Sequence, residues 1–264
     1  MGQRILERSR KSSANNPFQD FFEDHRYVIL KNYLYNYILR RRAVEKVLVE
    51  EPQKLMLEVG SGLSPVMTPH CRIVYSDLSL TALQAVKHFQ EKGWYVVADA
   101  LKLPFKSGVF TQAISSEVLE HLADDRAALR ELARVMAPSG HLVVTFPHRR
   151  FYFANDDRFV GHFRRYELSE MGDRLKEAGL RPVLIHKVLG PLEKATMCFA
   201  VFSFSMIQRF YPKREGKDPS SKAMSIFVAF FKWTNCLYAG LVWLDAKIMP
   251  RTLSAVLLIK AEKE

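Results

Sequence analysis

"KLMLEVGSGLSP", Lys54 to Pro65, runs from an apolar stretch straight into two closely spaced glycines, with an acidic residue, Glu58, two places before the first. A short apolar run that ends in glycine reads as a buried strand followed by a sharp turn. Without a Cβ, Gly60 and Gly62 let the backbone turn tightly and come close to a ligand. Whether this turn holds a ligand depends on what the rest of the chain brings beside it.

Short β-branched runs recur at 72–78 (RIVYSDL), 95–100 (YVVADA), 111–117 (TQAISSE), 141–147 (HLVVTFP), 181–188 (RPVLIHKV) and 254–262 (SAVLLIKAE). Helical periodicity fills several of the gaps. Leu80, Leu83, Val86 and Phe89 follow Ser79 as N-cap. Ala128, Leu129, Leu132, Val135 and Met136 follow Asp124 and Asp125, with "APSGH" as the stop. Leu168, Met171, Leu175 and Ala178 end at Gly179. Alternation of this kind predicts an α/β fold, a mostly parallel sheet covered by helices on both faces. One connection departs from it: only "LSPVMTPHC" separates the first two strands, so the first helix is expected to be short or irregular.

In a doubly wound sheet, ligands sit beyond the carboxyl ends of the strands. Asp77 ends the second strand, where a carboxylate can accept both hydroxyls of a ribose. Asp99 ends the third, placed to accept from the exocyclic amine of a base. Acids also serve as plain turn formers, but three consecutive strand ends of this kind point to a nucleoside-containing ligand. Glu58 narrows the choice. Its charge would oppose a pyrophosphate, and Ser64-Pro65 stand where a dinucleotide site needs a third small residue. A ligand with a cationic part suits it better.

"EVGSG", "YSDLS", "ADALKLPF", "AISSEVLEHLAD" and "LRELARVMAPSGHLVVTFPH" resemble the successive motifs of class I S-adenosylmethionine-dependent methyltransferases. The nearest likeness is to the subgroup that methylates small molecules and lipids, such as ubiquinone-pathway enzymes. It covers about residues 50–188 and the final strand. The resemblance implies a Rossmann-like, three-layer α/β/α fold of seven strands whose last inserts antiparallel beside the sixth, and S-adenosyl-L-methionine as cofactor. Carried over, Glu58, Gly60 and Gly62 hold the methionine portion, Asp77 the ribose, and Leu78 the face of the adenine. Asp99 and Ala100 meet the adenine edge, Ser116 and Glu117 lie beneath the sulfonium, and His121 neighbours the cofactor. Ser64 in place of a frequent third glycine, and the curtailed first helix, depart from the family pattern.

Methyl transfer from a sulfonium is an in-line displacement, and a general base is needed only where the acceptor must lose a proton. His148, His162 and Tyr166 are the catalytic candidates. "DDRFVGHFRRYELSEM" puts His162, Arg164, Arg165 and Tyr166 in a loop expected to cross the mouth of the site. Pairing of Asp156 and Asp157 with the arginines is the structural alternative.

At 264 residues, 48% hydrophobic and 25% charged, the chain can bury one core with length left over. The expected division is an N-terminal arm and aromatic helix over 1–50 and a methyltransferase domain over 51–264. Residues 1–20 are read as a mobile arm. In the helix, Leu30, Leu34, Ile38 and Val44 share a face, with Arg40, Arg41 and Arg42 on the solvent side. Cys71, Cys198 and Cys236 form no ligand cluster, so free thiols and no metal site are expected. The N-terminus lacks the apolar core of a signal peptide, and Leu6 stands where a myristoylation motif wants Ser or Thr, which suggests a cytoplasmic protein. The net charge of +11 would suit nucleic acid, anionic lipid or an acidic substrate.

An insertion of about 60 residues, 191–252, separates the last two strands, far more than an ordinary loop. Its apolar run 195–207 is too short to span a bilayer, and 223–244 carries Lys232 and Asn235 mid-run. Both read as interfacial helices, with Arg209, Lys213, Arg214, Lys217 and Lys222 available to anionic headgroups. A soluble lid or a homodimer interface is the alternative. The expected function is methyl transfer, at oxygen, to a small hydrophobic or lipid-linked acceptor by a protein peripheral on the inner face of the membrane. A nucleic-acid methyltransferase is disfavoured because "SSEVLEH" replaces the Pro-Pro-aromatic box used on base amines. A dinucleotide oxidoreductase is disfavoured by Glu58 and Pro65. A non-enzymatic membrane scaffold that keeps the fold stays open.

Overall fold

The computed structural model of the chain describes residues 33–48, 54–67, 72–90, 92–210 and 221–264. The expectations for the arm over 1–20, Leu6, Leu30, Cys71, Lys213, Arg214 and Lys217 lie outside the described residues, as do the side chains of Arg209 and Lys222.

The predicted runs become β1 (Met56–Val59), β2 (Ile73–Asp77), β3 (Trp94–Val97), β4 (Phe110–Ser116), β5 (Met136–Pro147), β6 (Leu180–Leu189) and β7 (Val256–Lys263). They form one seven-stranded sheet in the order β3-β2-β1-β4-β5-β7-β6. β1 to β5 pair in parallel, and β7 lies antiparallel between β5 and β6. The strand order reverses between β1 and β4, which opens the ligand crevice there. All four residues of β1 are buried, as a central strand covered on both faces requires.

Helices cover both faces. On one side Leu129 and Leu132 of α3 (Asp125–Val135) and Met171 and Leu175 of α5 (Leu168–Glu177) pack with Leu57, Val144 and Leu257. On the other side Ile73, Ile114 and Leu258 meet three helices. These are α1 (Tyr35–Val47), α2 (Leu80–Phe89) and α7 (Ser221–Ile248), which contribute Leu39, Leu83 and Val242. Helix starts follow the sequence signals: Ser79 Oγ accepts from Ala82 N–H and Asp124 Oδ1 from Ala127 N–H. Between β1 and β2, residues 60–67 run in turns and bends with no helix among the described residues, as the two prolines predict.

Several expectations are corrected. α3 ends at Val135, just ahead of "APSGH", but that stretch already belongs to β5, with Ser139 at φ +58°. β3 ends at Val97, leaving Asp99 in the following turn. Part of the supposed loop at the mouth is a short helix, α4 (Asn155–Val160). The buried stripe of α1 is Tyr35, Leu39, Ala43, Val44 and Val47, so Leu34 and Ile38 sit beside the core rather than in it. A partner far along the chain rotates the helix: the Tyr35 ring packs edge-on against Tyr238 of α7, centroids 4.9 Å apart. The same rotation turns Arg40 inward, away from the predicted solvent side, to 4.0 Å from Glu117.

Among its described residues the insertion holds two α-helices, α6 (Pro191–Phe210) and α7. Among the described residues no helix is long and apolar enough to cross a membrane. α7 turns its small residues inward, burying Ala239, Val242 and Ala246. Its large ones face out: Phe230, Trp233, Leu237, Leu241 and Ile248 are 57% to 69% exposed. Phe199 and Phe202 of α6 are exposed as well.

Candidate active site

Gly60 and Gly62 close β1 with φ of +72° and +54°, the left-handed region that disfavours other residues. A Cβ on Gly60 would lie 2.4 Å from Val118 Cγ2 and force that side chain to move, whereas Gly62 faces open space. The turn is pinned to the next strand: Gly60 N–H donates to Ser76 O at 2.7 Å and Gly62 N–H to Asp77 Oδ2 at 2.8 Å. Asp77 Oδ1 accepts from Ser79 N–H at 2.8 Å. Its half-buried carboxylate is therefore fixed in direction while each oxygen keeps acceptor capacity. Leu78 beside it is 73% exposed. Asp99 is exposed, with Oδ1 accepting from Leu101 N–H at 2.9 Å, and Ala100 is half-buried next to it.

Glu58 is the third residue of β1, just ahead of the turn. It is buried, and its oxygens accept from Val66 N–H at 2.8 Å and Met67 N–H at 3.2 Å. Burial raises its carboxyl to about 8 against those two hydrogen bonds. The residues that replace the missing helix need a partner for their amides, and Glu58 supplies it; it shapes the turn from behind.

Ser116 at the end of β4 shares a hydrogen bond with Thr145 Oγ1 at 2.8 Å. Glu117 follows with φ +55°, a conformation that strains a non-glycine residue by roughly 1–3 kcal/mol and gathers at functional sites. A 3-10 turn, Leu119–His121, then presents Glu120 and His121. Glu120 is fully buried, and burial together with the neighbouring Glu117 pushes its carboxyl well up. His121 is lowered to about 4 by desolvation and by His162, whose ring centroid lies 4.6 Å away.

His162 Nδ1 is 2.9 Å from Asp157 Oδ1. Asp157 also accepts from Arg165 Nε at 2.7 Å, Lys194 Nζ at 2.6 Å and Ala154 N–H at 3.0 Å. Burial alone would raise this carboxyl, yet the donors from His162, Arg165 and Lys194 outweigh it and hold it well below the usual range. Lys194 belongs to α6 and also reaches Asp156 at 2.5 Å, so the insertion takes part in the network. Arg165 pairs with Asp157, as the alternative reading held, whereas Arg164 pairs with Asp125 at 3.1 Å.

The other two catalytic candidates are buried. Tyr166 is fully buried and its hydroxyl donates to Asp125 Oδ2 at 2.7 Å; burial and the Glu120 charge push its phenol far up. His148 is 2% exposed, with Nδ1 2.9 Å from Ser254 O, and burial lowers it. Both tie elements together from buried positions. Sequence reasoning missed Glu120, Arg40 and Lys194. "EVLEH" carried a signal for the first; the other two are brought in by helices remote in sequence. A hollow of about 510 Å³ lies elsewhere, lined by Leu39, Arg42, His186 and Trp243.

Glu193, next to Lys194, is buried and raised to about 7 by desolvation, with Glu117 and Asp156 adding and Arg165 opposing. A carboxyl raised on folding contributes stability that is full below the unfolded value near 4.5 and is lost as pH rises through about 7. Between those limits the unfolding free energy is expected to fall by about 1–3 kcal/mol on this account. Urea denaturation of Glu193→Gln across the same pH range should show a flatter slope; an unchanged slope would refute the assignment.

Comparison with known proteins agrees with this geometry. Residues 57–144 match the family model described as a methyltransferase domain. The demethylmenaquinone methyltransferase of Thermus thermophilus is 35% identical over 114 residues, 40% of this chain and 52% of that protein. The chloroplastic tocopherol O-methyltransferase of Arabidopsis thaliana is 38% identical over 92 residues, 34% of this chain and 24% of that protein. The chain spans about half, or less, of the length of such curated relatives. In fold it is similar to an S-adenosylmethionine-dependent methyltransferase from Thermotoga maritima, with a TM-score of 0.57 at 16% identity over 90% of this chain and 92% of the other.

Proposed function

We propose, taking as premise that residues 57–144 are a class I S-adenosylmethionine-dependent methyltransferase domain, that the chain methylates a hydroxyl of a small hydrophobic or lipid-linked acceptor while docked on a membrane face. The observation that carries the acceptor class is the outward apolar stripe of α7, from Phe230 to Ile248, on an insertion wired into the site through Lys194. A solvent-facing helix of a self-contained enzyme would turn these residues inward. Lys232 over the Tyr33 ring and Lys247 over the Trp243 ring place cations beside the stripe, where anionic headgroups would meet them. Relatives named for demethylmenaquinone and tocopherol, both lipophilic, support the same class.

The residues present fit the cofactor. Gly62 leaves open space where a side chain would stand, Asp77 offers a directed carboxylate for the ribose, and exposed Leu78 offers an apolar surface for the base. Asp99 and Ala100 would meet the base edge, and Ser116 and Glu117 form the floor. When bound, S-adenosylmethionine supplies an electrophilic methyl group on a sulfonium. Asp157 fixes the direction of the His162 imidazole, the one catalytic candidate left at the mouth, and His162 positions the acceptor.

The test is incubation of the full chain with methyl-labelled cofactor and anionic vesicles carrying a total lipid extract. Label is expected in the organic phase, and the protein is expected to float with the vesicles at low salt. Label confined to a water-soluble or nucleic-acid product, or protein that stays at the bottom of the gradient, would overturn the acceptor class.

A further inference from the structure

We propose that Glu120, His121 and His162 form a binding site for a divalent first-row transition-metal ion at the mouth of the methyl-transfer cleft. One ligand atom from each residue can be chosen so that all lie within 4.8 Å of one another. His162 Nε2 stands 3.7 Å from Glu120 Oε1. Glu120 itself is 0% exposed, and neither of its carboxylate oxygens has a hydrogen-bond partner. A buried acid with neither oxygen partnered is rare, and a cation bound there would both ionise and satisfy it.

The imidazoles are set up as ligands rather than donors. Asp157 is held ionised by Arg165 and Lys194, so it accepts, and Nδ1 of His162 must donate to it. That leaves the Nε2 lone pair facing Glu120. His121 brings the second imidazole, its ring centroid 4.6 Å from that of His162. A carboxylate or carbonyl behind each metal-binding histidine is the usual means of fixing its tautomer. Glu117 adds a second acid, with Oε1 buried and unpartnered, and so deepens the negative field. Two imidazoles and a carboxylate suit manganese, iron or zinc and leave coordination positions open.

What the ion would do rests on the methyltransferase reading, although the site does not. An acceptor hydroxyl held at an open position loses its proton more readily. The proton passes to solvent, the oxygen forms its bond to the methyl carbon, and the carbon–sulfur bond breaks with its electron pair kept by sulfur. The buried groups then need no separate general base, consistent with Tyr166 and His148 being sealed away.

The test titrates Mn²⁺ into the metal-stripped full chain and follows loss of the free-ion electron paramagnetic resonance signal, with S-adenosylhomocysteine calorimetry on the same samples. One equivalent is expected to bind. Glu120→Gln and His162→Gln should each weaken it by more than the about 10- to 100-fold that loss of an outer-shell partner brings. Asp77→Ala should leave it unchanged. Glu120→Gln keeps the shape of the side chain, and far-UV circular dichroism checks that both variants fold. Absent stoichiometric binding by the wild type, or equal binding by both variants, overturns the site. Should the cofactor analogue bind while Mn²⁺ does not, the metal site fails and the methyltransferase reading stands; the reverse result separates the two the other way.

Discussion

Replacing Asp77 by alanine is expected to lower the affinity of the full chain for S-adenosylhomocysteine by about 100-fold or more. Two hydroxyls of a ribose would hydrogen-bond to an ionised carboxylate, and such bonds contribute about 1.5–3 kcal/mol each, where each 1.4 kcal/mol is a factor of ten. The same carboxylate receives Gly62 and Ser79 amides, so the variant also loosens the glycine turn against which the ligand must close. Asp77→Asn keeps the shape and should lose less. Calorimetry decides the matter: an alanine variant that binds within a few-fold of wild type would place the nucleoside elsewhere.

Asp157→Ala is expected to destabilise the protein by about 3–5 kcal/mol, the range for breaking a buried ion pair on one side only. Arg165 and Lys194 are 5% and 6% exposed in their side chains, so neither can turn to water once the carboxylate is gone. Asp156 remains for Lys194 and keeps the loss toward the lower end. Urea denaturation at neutral pH measures it. A loss below about 1 kcal/mol, the level of an exposed pair, would mean that the network is solvated in solution.

Much of this was readable in the sequence wherever the signal is local. Alternation of apolar runs and periodic segments yields the seven strands, because a buried parallel sheet demands continuous apolar stretches. The glycines, Asp77 and Asp99 were legible because strand ends in this topology converge. The two prolines after β1 announced the missing helix. What escaped depends on partners distant in sequence. The rotation of α1 is set by Tyr238, the inward turn of Arg40 by Glu117, and the withdrawal of His148 by the Ser254 carbonyl. Tyr166 lies between α3 and α5, where its hydroxyl donates to Asp125. Nothing in a residue's own neighbourhood says which of two histidines a later strand will cover. Glu120 was hidden by its motif: the histidine beside it drew the attention that the acid deserved.

The bond from Lys194 to Asp156 and Asp157 bears on how this chain can be engineered. The start of α6 is tied from the other side too, where Asp245 of α7 accepts the Leu192 amide. Trimming residues 191–252 to obtain a smaller catalytic core would thus strip a counter-charge from the pair of acids behind the imidazole. A minimal version would have to rebuild that cation, for instance from a neighbouring loop, before its chemistry could be compared with that of the parent. The greasy extension is part of the wiring and not a detachable anchor.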